Sequence, residues 1–133
     1  MFSIMALRNW EYAVRLIEGK NFAFLAIVLP DGSPHVTPVW IDHEGDLVLL
    51  NTALGRVKQK NAAKGRQVSV SVADQDNMYE RITIQGRVVE QTQSGADAHI
   101  DKLANKYTGA KKYERSSPTE KRVTIKIEPL RIF

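Results

Sequence analysis

Between Phe22 and Thr52 the chain passes through three strand-length stretches separated by two tight-turn sequences, and this succession constrains the fold more than any other feature. Phe22 to Leu29 is a continuous apolar run of strand length. Pro30-Asp31-Gly32-Ser33 follows, a turn in which proline presets φ and glycine accepts positive φ. Pro34 to Ile41 then reads as a second strand, Asp42-His43-Glu44-Gly45-Asp46 as a second turn and Leu47 to Thr52 as a third strand. Together they predict an antiparallel meander. Pro38 disturbs the pattern: it has no N–H to give to a ladder, so its strand is either at an edge or interrupted there.

The flanking sequence supplies helices and further strands. Trp10, Ala13, Val14 and Ile17 recur at helical spacing between Asn9, read as an N-cap, and Gly19, read as a C-cap. After the meander a basic helix is predicted from about Arg56 to Lys64, stopped by Gly65. Gln67 to Val72 alternates with the period of a half-buried strand, Ala73 to Asn77 is a polar turn, and Arg81 to Glu90 is a long strand in which Gly86 marks a bulge or corner. Ile100, Leu103 and Ala104 give an amphipathic helix from about Gly95 to Tyr107, and Arg122 to Glu128 closes the chain with an alternating strand. The expectation is a single domain over residues 1–133, mainly β with flanking helices, built from six antiparallel strands closed or nearly closed into a barrel that removes its edges.

Composition narrows the chemistry. A chain of 133 residues buries roughly two-thirds of its unfolded surface, enough for a core without staples. It has no cysteine, which excludes disulfides, thiolate metal sites and a cysteine nucleophile and suits a reducing compartment. No stretch approaches the roughly 20 apolar residues of a membrane span, and Met1 to Ala6 does not open a leader, so a cytoplasmic protein away from the membrane is expected. The net charge of +4 accommodates an anionic partner, but the basic residues are scattered and no helix-turn-helix, finger or ribonucleoprotein signature accompanies them. Nucleic acid is therefore not the expected partner.

Few residues suggest chemistry of their own. His35, His43 and His99 are too dispersed for a local metal motif, and no serine lies in a Gly-x-Ser-x-Gly elbow. Asp42, Glu44 and Asp46 read as a solvated turn. Two segments remain. In Gly55-Arg56-Val57-Lys58-Gln59-Lys60-Asn61, cations gather at a predicted helix start; Arg56 and Lys58 diverge on a regular helix but can converge on one phosphate in the turn before it. The same segment also reads as a solvated surface helix. In His35-Val36-Thr37-Pro38-Val39-Trp40, the gap beside Pro38 leaves backbone groups for a flat heteroaromatic ligand, or else marks an edge strand with Trp40 in the core.

Pro30 to Trp40, Asn51-Thr52, Gly55 to Asn61 and Gly86-Arg87-Val88 together resemble the pyridoxamine 5'-phosphate oxidase-like superfamily of FMN-binding split β-barrel flavoproteins, and within it the small branch that uses the deazaflavin coenzyme F-420. The resemblance spans nearly the whole chain. It implies a homodimer with two cofactor sites between the subunits, the ring against the proline-interrupted strand and the phosphate on the basic turn. On the matching positions Arg56 and Lys58 bind phosphate with help from Asn61, while Thr37, Pro38, Val39, Trp40, Asn51 and Thr52 contact the ring and its polyol chain. Tyr79 is placed to reach across from the partner subunit. The vitamin B6 oxidases of the superfamily end in an Arg-x-His element, whereas this chain ends Pro129-Leu130-Arg131-Ile132-Phe133, which argues against that activity.

What the resemblance implies is an oxidoreductase that delivers hydride from reduced coenzyme F-420 to an unsaturated or conjugated small molecule. The alternatives are an FMN-dependent enzyme of the same fold and a non-catalytic carrier of the cofactor or a tetrapyrrole. No catalytic side chain is singled out, because the cofactor carries the hard chemistry.

Overall fold

A computed structural model describes the backbone over residues 4–133 and the side chains over residues 9–133. Residues 1–3, on which part of the leader expectation rests, lie outside the described residues. The elements are α1 (Ile4–Glu18), β1 (Ala23–Val28), β2 (Pro34–Val39), β3 (Ile41–Glu44), β4 (Leu47–Ala53), α2 (Val57–Lys60), β5 (Gln67–Ala73), β6 (Arg81–Thr92), α3 (Ala96–Thr108) and β7 (Arg122–Ile132). No helix among the described residues is long and apolar enough to cross a membrane.

Seven strands form one antiparallel sheet in the order β2-β1-β5-β6-β7-β4-β3, which corrects the expected six. The stretch from Pro34 to Ile41 is not one strand: β2 ends at Val39, β3 begins at Ile41, and Trp40 belongs to neither. Asp42 to Glu44, expected in the second turn, lie in β3. The three-strand meander does not form either, since β2 pairs only with β1 and β4 pairs with β3 and β7. A sheet whose two edge strands are joined by one residue must curl until its edges meet. The result is a barrel split at Trp40, in which extended backbone continues across the gap while the ladder does not.

Two bulges help the sheet to bend. The pairing of β6 with β7 slips between Gln85 and Gly86 and again between Val88 and Glu90. At Gly86 a Cβ would stand 2.5 Å from Ile127 Cγ2 and 2.7 Å from the Glu128 carbonyl oxygen, so glycine is required by the close approach of β7.

The barrel interior is filled by Leu25, Ile27, Val48, Leu50, Val70, Val72, Ile84, Val88, Ile125 and Ile127, with Trp10, Ala13 and Ile17 of α1 packed on the same cluster. Each such side chain contributes about 1.5–3 kcal/mol on burial. Asn9 is inside α1 rather than at its N-cap, and its amide donates to the Ile132 carbonyl at 3.2 Å, tying the helix to β7. A smaller cluster of Ile100, Leu103 and Tyr107 forms where α3 meets Trp40 and Tyr113. The left-handed glycines Gly95 (φ 75) and Gly109 (φ 80) bound α3, close to the predicted ends.

The basic helix is a single turn, Val57–Lys60, rather than the predicted Arg56 to Lys64. Gln91 on β6 explains its brevity: its amide donates to the Gln59 and Ala62 carbonyls at 2.9 and 2.7 Å and draws the chain onto the sheet, where Ala62 is buried.

Candidate functional site

A cavity of about 230 Å3 opens where the barrel is split, lined by Phe22, Pro38, Val39, Trp40, Asn51, Arg56, Lys58, Ile100, Tyr113 and Arg122. One wall is aromatic. Trp40 stacks on Tyr107 with centroids 5.3 Å apart and planes 6° apart, Phe22 stacks on Tyr107 at 5.6 Å, and Tyr113 meets Trp40 edge-on at 6.2 Å. Trp40 can turn into this stack because it is released from both strands. The Tyr107 hydroxyl fixes the stack by donating to the Asn21 carbonyl and accepting the Ile41 N–H at 3.3 Å.

The cavity also has a cationic lining. Gly55, at φ 92, reverses the chain after β4, and Gln59 accepts the Gly55 N–H at 3.0 Å. Arg56 then keeps an extended conformation (ψ 154) before the helical turn, which brings Arg56 and Lys58 to the same cavity. A single helical turn sums few peptide dipoles, so the positive field here comes from side chains. Arg122, the first residue of β7, adds a third cation; its signal in the sequence was nil, since it lies far along the chain from Arg56 in an ordinary alternating strand.

Among the described residues, one carboxylate serves these cations. Glu120 accepts from Arg56 Nη2 at 3.2 Å, Arg122 Nη1 at 3.1 Å and Ser116 Oγ at 2.6 Å. Burial pushes its carboxyl up, but Ser116 and Arg122 outweigh that and hold it below the usual range. Lys58 has no hydrogen bond or ion pair among the described residues. Burial pushes its ammonium below the ordinary lysine value of 10.5, and the fields of Arg56 and Arg122 push the same way.

A hydrogen-bonded chain runs behind the cationic wall. Asn51 accepts from Arg122 Nε at 2.9 Å, donates to the Ala96 carbonyl at 2.9 Å and meets His99 Nδ1 at 3.1 Å. His99 Nε2 lies 3.2 Å from Asp42, which also receives Lys102 at 3.1 Å. Burial raises the Asp42 carboxyl, but bonds from His99, the His43 N–H and Lys102 prevail and hold it well below its ordinary range. No group of three or more His, Asp or Glu among the described residues is arranged to hold a metal ion.

Of the residues singled out in the sequence, Pro38, Val39, Trp40, Asn51, Arg56 and Lys58 come together around the cavity. Pro38 lies on an edge strand, as its missing N–H allows, and it lines the cavity together with Trp40, which is not in the barrel core. Thr37, Thr52, Asn61 and Tyr79 are not brought to the lining. Thr37 faces the opposite side of β2 from Pro38, and Thr52 shares its face of β4 with the core residues Val48 and Leu50, its buried hydroxyl unpaired among the described residues. Asn61 caps α2 and donates to the Val57 carbonyl at 2.8 Å. Tyr79 sits 90% exposed in the β5–β6 loop. Sequence reasoning missed Phe22, Ile100, Tyr113 and Arg122 as lining residues, and Glu120, His99 and Asp42 as their supports.

Comparison with known proteins places this geometry. A profile of the pyridoxamine 5'-phosphate oxidase family matches residues 10–133. Among solved structures, an F-420 reductase superposes with a TM-score of 0.76 at 28% identity, covering 90% of this chain and 94% of that one. An FAD- and heme-binding protein from Mycobacterium smegmatis (TM-score 0.64, 18% identity, 89% of this chain and 65% of that one) shares the fold. So does General Stress Protein 26 from Bacillus anthracis (TM-score 0.64, 21% identity, 97% and 93%). No curated protein matches the chain significantly.

Proposed function

The chain belongs to the pyridoxamine 5'-phosphate oxidase family, whose members are flavin-related oxidoreductases, and from that premise we propose that it uses reduced coenzyme F-420 to deliver hydride to a conjugated organic substrate. The observation that carries this reading is Lys58: a half-buried ammonium with no counter-ion among the described residues, beside two arginines, in the same cavity as the flat face of Trp40. A half-buried cation with no partner among the described residues favours an anionic ligand, and the planar wall favours a ring.

The residues fit a deazaflavin nucleotide. Lys58, Arg56 and Arg122 would hold its phosphate, and Trp40, Pro38, Val39 and Ile100 would bound its ring. When bound, such a cofactor supplies a hydride to an acceptor; the protein aligns the two and keeps water from them with apolar lining. The deazaflavin is preferred to FMN because the likeness to an F-420 reductase extends over nearly the whole of both chains.

The complete site takes two copies of the chain. About 230 Å3 is below the roughly 300–1,000 Å3 of cavities that enclose a ligand of this size. On the outer face of the β1–β2 ladder, Phe24 pairs with Pro38, Ala26 with Val36 and Val28 with Pro34, so exposed Phe24, Val28 and Val36 form one apolar surface. That surface runs into the cavity at Pro38 and Phe22, so a second copy seated on it supplies the missing wall.

Steady-state oxidation of reduced coenzyme F-420 with a panel of quinones, enones and linear tetrapyrroles tests the proposal. Turnover with at least one acceptor is expected. Tight binding with silence across the panel would make the protein a carrier instead.

A further inference from the structure

We infer that Asp42 and His99 position Arg122 for the ligand's phosphate, acting through Asn51. The inference rests on the cavity being the phosphate site proposed above.

The chemistry of the donors fixes the chain link by link. A guanidinium only donates, so the Asn51 atom facing Arg122 Nε must be its carbonyl oxygen. The Asn51 amide nitrogen therefore faces the Ala96 carbonyl and His99, and having only protons to give it makes His99 Nδ1 an acceptor. The imidazole proton is then on Nε2, where it is donated to Asp42. Each group has one role, and reversing any of them sets two donors or two acceptors against each other.

The chain is enclosed. The side chains of His99 and Asp42 are 10% and 14% exposed, and that of Arg122 is 3% exposed. At its cavity end Arg122 is held from three sides: Nε by Asn51, Nη1 by Glu120 and its face by the Tyr113 ring at 4.8 Å. Nη2 has no partner among the described residues and remains for a ligand. The same network joins the edge strand β3 to α3, β4 and β7, so the guanidinium is anchored to the barrel rather than to a loop. Held in this way, Arg122 loses little freedom when an anion arrives.

A purely structural role for His99 and this positioning role are separated by a ligand pair that differs only in the phosphate. The probes are FMN with riboflavin, and the 5'-phosphate of 8-hydroxy-5-deazariboflavin with that deazariboflavin itself, each titrated by fluorescence. In wild type the phosphate strengthens binding. In His99→Ala we expect that increment to fall at least fivefold while the phosphate-free ligands bind within twofold of wild type. His99→Asn, whose Oδ1 replaces the Nδ1 acceptor, restores the increment. His99→Leu fills the same volume and serves if the alanine variant does not fold. An unchanged increment in both His99→Ala and His99→Leu, or equal weakening of phosphorylated and phosphate-free ligands, overturns the inference alone. Absence of any phosphate increment in wild type overturns the proposed phosphate site and the inference with it.

Discussion

Trp40 lies nearly parallel to Tyr107, 6° between planes and 5.3 Å between centroids, although it is the single residue joining the two edge strands of the sheet. The point at which the barrel splits is thus the point at which the cavity gains its flat wall. The Tyr107 hydroxyl maintains this by pinning the Asn21 carbonyl and the Ile41 N–H on either side of the split. Tyr107→Phe keeps the ring but leaves both backbone groups buried without their partner. We expect a loss of about 1–3 kcal/mol in urea denaturation, with weaker binding of the cofactor ring.

Lys58→Ala should weaken binding of the phosphorylated cofactor at least tenfold, since one charge-assisted bond is worth about 1.5–3 kcal/mol and 1.4 kcal/mol is a factor of ten. Lys64, exposed and outside the lining, is the control whose alanine variant binds as wild type. The pH dependence has a definite sign. The charged form of Lys58 is disfavoured by the fold, so binding holds while pH is below the lowered folded value and declines as pH rises through it, before the ordinary 10.5. Lys58→Met should remove this alkaline limb and stabilise the ligand-free protein at neutral pH, a gain that shrinks as pH rises.

Asp42→Asn tests the carboxylate end of the polar chain. A depressed carboxyl contributes stability that is present above the unfolded value of 3.8 and is lost as pH falls through the folded one. Wild type should therefore be more stable than Asp42→Asn at neutral pH, and their melting temperatures should converge below 3.8.

Val36 lies at the centre of the apolar face proposed to receive a second copy, paired with Ala26 and 58% exposed. Val36→Glu should convert a dimer to a monomer by light scattering and reduce cofactor affinity, with the melting of each subunit little altered because the side chain is outside the core. A wild type that is monomeric at all concentrations contradicts that assembly.

The sequence made most of the strands legible because half-buried β-structure writes its period into residues such as Gln67 to Val72, and the corner at Gly86 was legible because few other features tolerate a bare Cα there. The break at Trp40 was not. Extended backbone on either side has the same period whichever neighbour it pairs with, so the pattern cannot show that β2 and β3 lie at opposite edges. The extent of α2 is illegible for a related reason: a long-range clamp from Gln91 joins the Asn61 cap in ending it, and nothing nearby in the sequence announces that clamp. Arg56 and Lys58 were legible as a pair because they are neighbours in the chain. Arg122 and Tyr113 reach the cavity from β7 and the loop before it, with His99 of α3 behind them on Asn51, and that convergence is a property of the tertiary fold.

What the cavity holds decides the function of the protein. Spectroscopic titration of the purified protein with coenzyme F-420 and with FMN, side by side in wild type and Lys58→Ala, addresses it directly. Saturable binding of the deazaflavin is expected, tighter than that of FMN and at least tenfold weaker in Lys58→Ala. Tight binding of FMN with no detectable binding of coenzyme F-420, or deazaflavin binding that ignores Lys58, would contradict it.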